Sequence, residues 1–242
     1  MNPSTKPRDM KSILSSTLTD AIRQGIPILG LLVALNAVLV PASIGIRLAL
    51  QEPGTIPVGP PTPIPWLDPS TALGQILIHA LAGLIVGLFT FSLAKGLIGA
   101  AMGVLIDIDH VAALIGFHSA ARDGHSVFLL SSLVLLVWGL RLWRWGSLDF
   151  ALFSTAQFAT HFAVAPPGFP LLAPFVSTWF EFPTYAFVSV TMFCVLVGLL
   201  NAIKGKGGRD SPIKQVPDTP SFILVGTKAH TRHRTSFGQV AE

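Results

Sequence analysis

Charge is what this 242-residue chain has least of: Asp, Glu, Lys and Arg together make up 12% of it. A water-soluble fold of this size needs more polar surface than that, and 51% of the chain is apolar with a mean hydropathy of +0.64. Cysteine is almost missing as well. Cys194 stands alone in an apolar run, which excludes a disulfide framework and a Cys-rich metal cluster and leaves the thiol to packing. The net charge of +4 raises the question of nucleic acid, but the basic residues flank apolar segments, where they set membrane topology. That excludes a nucleic-acid module. No internal repeat is present. The chain reads as an all-α polytopic membrane protein whose main partner is the lipid bilayer.

A helix crosses the hydrocarbon core with about 20 mostly apolar residues. Six stretches qualify: Ile26 to Leu50, Ala72 to Ala94, Gly96 to Phe117, His125 to Leu140, Leu148 to Ala165 and Thr184 to Ile203. Val40-Pro41-Ala42 imitates a signal-peptide cleavage site, but the apolar run continues to Leu50, which favours an anchor. The chain then divides into an N-terminal cytoplasmic segment (1–25), a six-helix membrane domain (26–203) and a basic tail (204–242). Gln51 to Ser70 holds seven prolines and two acids without a lysine or arginine, the composition of an extended outer loop. The tail opens with "KGKGGRDSPIKQVPDTP", which cannot bury a core and reads as disordered.

The distribution of Lys and Arg orients these spans. With the N-terminus inside, the inner face receives Lys6, Arg8, Lys11, Arg23, Lys95, Arg141, Arg144 and the seven basic residues after Ile203. Only Arg47 and Arg122 fall outside. By the positive-inside rule this predicts a multi-pass cell (inner) membrane protein with both termini cytoplasmic. Lys95, Arg141 and Arg144 read as interface anchors.

Against that background "VLIDIDHVAAL" (Val104 to Leu114) is out of place. At about 1.5 Å of rise per residue, His79, Asp107, Asp109, His110, His125 and His161 all lie about 16 to 24 Å from the inner ends of their spans. Four helices thus present ionisable groups at one level in the outer half of the bilayer, where such groups are costly and mark sites. Asp107 and His110 share a helix face; Asp109 points elsewhere unless the helix breaks there. Carboxylate with imidazole suits zinc, manganese or iron, and a divalent ion offsets the burial of aspartates. Two carboxylates so close can also bridge two ions, an arrangement used to split phosphoesters, so the spacing allows one ion or two.

The order of these elements resembles a known family. "IDIDH" (Ile106 to His110), "RDGHS" (Arg122 to Ser126) and "ATHFAVAPPGFPLLAPF" (Ala159 to Phe175), preceded by His79, are similar to the motifs of the inner-membrane-associated metal-dependent hydrolases, the LexA-binding inner-membrane hydrolase family. The resemblance covers about Ile76 to Phe175. It implies metal or active-site roles for His79, Asp107, Asp109, His110, His125 and His161, with Arg122 and Ser126 beside them. The chain departs from the family pattern at Ala165, where an acid is expected, and at Ala121, where a histidine often precedes the arginine. His118, Asp123 or Glu181 are the residues available to substitute.

The resulting expectation is a metal-dependent hydrolase of a phosphoester or lipid-like substrate entering from the outer leaflet. Asp109 or Asp123 would act as general base, Arg122 would clamp phosphoryl oxygens, and Ser126 would lie alongside. Three other readings compete, the first being a site that lacks one ligand and binds metal without catalysis. A b-type haem protein would use two of the histidines as axial ligands, although nearby aspartates suit it poorly. An ion or proton carrier would need polar residues through the inner half as well, where the sequence places almost none.

Overall fold

The computed structural model describes residues 9–50, 69–111, 122–164, 168–176 and 178–207. The Pro-rich loop, His118, Ala121, Ala165 and the tail beyond residue 207 lie outside them. Among the described residues six α-helices follow in order: α1 (Met10–Leu50), α2 (Pro69–Leu88), α3 (Leu93–Leu105), α4 (Val127–Gly139), α5 (Ser147–Val164) and α6 (Thr184–Gly207). Two 3-10 turns, Ile106–His110 and Asp123–His125, lie between α3 and α4. Among the described residues there is no strand, only one isolated bridge between Phe169 and Phe180. The chain is all-α, as expected.

α1 and α6 are long and apolar enough to cross a membrane. Only 17% of the most apolar stretch of α6 and 28% of that of α1 is buried, so these helices turn their apolar side chains outward. The boundaries of the other elements correct the sequence reading. α1 begins at Met10, inside the segment expected to be an extramembrane N-terminus. α3 ends at Leu105 and gives way to a 3-10 turn, where an unbroken span to Phe117 was expected. α3 and α4 have 13 residues each, about 20 Å, short of a full hydrocarbon crossing.

The core forms where α1, α3, α4 and α5 meet, around Ile28, Leu32, Ile98, Met102, Leu133 and Phe150. α2 and α3 pack closest. Gly83 and Gly87 face Gly99 and Lys95–Gly96 so nearly that a Cβ on any of these three glycines (83, 87 or 99) would overlap backbone atoms of the other helix. Both helices carry a small-xxx-small pattern, Gly83 with Gly87 and Gly99 with Gly103, which lets the two backbones approach closely.

Lys95 is not a surface anchor. Its ammonium is buried and lies 2.8 Å from both carboxylate oxygens of Asp149, and the Trp143 indole N–H donates to the same carboxylate at 2.9 Å. Removing one partner of a buried pair typically costs about 3–5 kcal/mol because the other charge is stranded. Lys95→Met should therefore lower the melting temperature of the purified protein sharply, and the double variant Lys95→Met/Asp149→Leu should regain much of it. If the single and double variants melt together, the pair contributes nothing. Arg144 does sit at the surface, its guanidinium 3.0 Å from Asp20.

Candidate metal centre

The break after α3 builds the site. In an unbroken α-helix Asp109 would point away from Asp107 and His110, but the tighter 3-10 turn over Ile106–His110 brings both aspartates and His110 inward. The second turn, Asp123–His125, lies against the first and carries His125 to it. α2 contributes His79 and the end of α5 contributes His161. All six residues expected as metal ligands come together, and each is at least nine-tenths buried.

Three imidazole nitrogens converge on one oxygen. Asp107 Oδ1 lies 3.0 Å from His161 Nε2, 3.1 Å from His125 Nε2 and 3.5 Å from His110 Nε2, while Asp107 Oδ2 lies 3.2 Å from His79 Nδ1. His125 Nε2 and His161 Nε2 are themselves 2.9 Å apart. Two overlapping ligand sets result, Asp107–Asp109–His110–His125 and His79–Asp107–His161, each with its ligand atoms within 4.8 Å of one another. Asp107 belongs to both. Tetrahedral zinc held at about 2.0–2.1 Å places its ligand atoms about 3.4 Å apart, close to the separations found here.

Asp109 has a second task. Its Oδ2 accepts from the Gly124 N–H at 3.0 Å and faces His125 Nδ1 at 2.8 Å. With the Nδ1 proton donated to that carboxylate, His125 Nε2 is left as a bare lone pair pointing at Asp107 and His161. This carboxylate–imidazole arrangement fixes tautomer and ring orientation in metal sites and leaves Nε2 available to a cation. Charge agrees. Asp107, Asp109 and Asp123 place three carboxylates in a buried site beside the Arg122 guanidinium, an acid-rich set that suits a divalent ion.

No protein-family model, curated protein or solved structure matches this chain. The geometry must speak for itself. A buried group of histidines and aspartates able to hold a metal ion is present.

The other expected site residues divide. Asp123 is buried beside the cluster, whereas Glu181 is exposed and takes no part in it. The Arg122 guanidinium stacks over the Phe169 ring at 5.1 Å. Burial draws its pKa below the ordinary arginine value, and the Asp107 and Asp109 carboxylates oppose that shift. Ser126 starts α4: its hydroxyl accepts from the Leu129 N–H at 3.1 Å, which accounts for it as a helix cap.

Sequence reasoning missed several neighbours. Phe169 stacks on the His125 ring with centroids 5.3 Å apart and closes the site from the segment after α5. Asn36 of α1 is buried with its Oδ1 lacking a protein partner, and a Cβ on Gly124 would strike that oxygen and come within 2.8 Å of Asp109 Cβ. Gly124 is thus glycine because two polar groups need its space. Nor is the half of the bundle away from the cluster free of polar side chains: Lys95 and Asp149 are buried there. The motif-based reading could not see that they face inward, since they carry no recognisable spacing.

Proposed function

We propose that this chain is a membrane-embedded, metal-dependent hydrolase acting on a phosphoester or lipid-like substrate at the outer leaflet. The observation that carries the reading is the convergence of the His110, His125 and His161 Nε2 atoms on Asp107 Oδ1. Zinc suits this donor set first, with manganese or iron as the other candidates. One ion in each ligand set would share Asp107.

A bound divalent ion supplies a Lewis acid that activates water and offsets charge on a phosphoryl group. The protein does the rest. Asp109 holds His125 in its ligating tautomer, so Asp123, buried in the same turn as His125, is the better placed proton acceptor. Arg122 provides a planar fork for phosphoryl oxygens, oriented by its stacking on Phe169. Phe169 and Phe162 exclude water from one side. Two imidazoles with Nε2 atoms 2.9 Å apart suit an ion better than a porphyrin.

Elemental analysis of the purified full chain tests the proposal together with hydrolysis of phospholipid vesicles. Bound zinc, manganese or iron should be found, and activity should vanish with a chelator. A protein without these metals, or one carrying a haem absorption band, would overturn it.

The six-span topology with both termini cytoplasmic belongs to the same proposal and rests on the positions of the lysines and arginines. In a Cys194→Ser background, Thr62→Cys should react with a membrane-impermeant thiol reagent on intact cells and Lys206→Cys should not. The reverse pattern would invert the orientation.

A further inference from the structure

One turn before His161 on α5, and on the same helix face, lies Gln157. It is 1% exposed, and its Oε1 has no protein partner. His161 is 3% exposed, and its Nδ1, on the ring edge opposite the nitrogen that faces Asp107, also has none. A buried donor or acceptor left unsatisfied costs about 1–3 kcal/mol, so two such atoms at i and i+4 call for a common explanation. Ser154, fully buried and a further turn back on the same face, carries a third: its hydroxyl oxygen likewise lacks a partner. Space for the glutamine is provided on purpose. Its Nε2 lies 2.9 Å from where a Cβ of Gly103 would be, so any larger residue at 103 would displace the amide.

These observations have one economical solution. With His161 Nε2 turned toward Asp107 as a ligand, the ring proton must sit on Nδ1 and needs an acceptor. We infer that Gln157 is the positioning residue of the centre: its Oε1 accepts the His161 Nδ1–H through one buried water shared with Ser154, and so fixes the ring and its tautomer. This rests on the metal reading above.

The test is Co2+ binding to the purified full chain, followed by competition with a chromophoric chelator and by the visible d–d spectrum. Gln157→Leu should weaken Co2+ binding by about 10–100-fold, as loss of a second partner of a ligating histidine typically does, and should alter the spectrum. Gln157→Glu retains an acceptor of the same length and should bind at least as tightly as the parent; it also serves if the leucine variant does not fold. Parent-like binding by Gln157→Leu, or a tenfold loss in a folded Gln157→Glu, would refute the assignment. His161→Ala keeps the two readings apart, because unchanged Co2+ binding in that variant sinks the metal centre itself.

Discussion

Asp107→Ala should abolish stable metal binding altogether. Asp107 is the residue common to both ligand sets, and its two oxygens lie 3.0–3.5 Å from ligand nitrogens of four histidines. Substitution of residues that only orient a ligand costs about 10–100-fold in affinity, so loss of a shared ligand should exceed the upper end of that range. Asp107→Asn separates charge from shape. The amide fills the same space but presents an NH2 group to nitrogens already competing for protons, and affinity should fall nearly as far. Titration with zinc under chelator competition reads both variants. Affinity within about tenfold of the parent in either would show that the ions, if any, bind elsewhere.

The second large effect is expected far from any ligand, at Gly99→Ala. A methyl group there meets the Gly83 carbonyl of α2, a backbone atom that cannot rotate aside. Overpacking typically costs about 1–3 kcal/mol and occasionally more, and a backbone-to-backbone contact belongs at the high end. The consequence should reach the site. His79 is carried by α2 and Asp107 by the turn that follows α3, so separating these helices moves the His79 imidazole away from the carboxylate it faces at 3.2 Å. Gly99→Ala should therefore melt well below the parent and bind metal more weakly. Gly139→Ala is the control, since a Cβ there meets nothing within 4 Å. Equal melting temperatures for the two variants would mean that α2 and α3 are not held at the glycine contact.

Much of the candidate site was legible because of where it stands. Aspartate and histidine are conspicuous in an apolar chain, and helical rise alone put His79, Asp107, His110, His125 and His161 at one level. Asp123 drew notice by its place in the outer connection, and Arg122 only through the resemblance of "RDGHS" to a family motif. Gln157 and Asn36 were not legible. An amide in a long helix has no characteristic spacing, and only the packing of α5 against α3, or of α1 against the turns, reveals that it faces inward without a partner. Lys95 was misread for a related reason: a lysine near a helix end suits the membrane interface by itself, and only the approach of Asp149 and Trp143 makes it a buried ion pair.

Composition and periodicity by themselves determined the helical class, the apolar character of the chain and the residue types of the candidate site, because each depends on local preference or on the solvent a side chain can tolerate. Tertiary structure decided the rest. Helical phase directs Asp109 away from Asp107, and it is the change to a 3-10 turn at Ile106 that brings it back. That Asp107 faces four histidines while Asp109 holds His125 was settled by the packing of that turn against Asp123–His125, where Gly124 leaves room for a contact no side chain would permit. Such choices depend on distances of a few tenths of an ångström between segments remote in the chain, and sequence spacing carries no information at that scale.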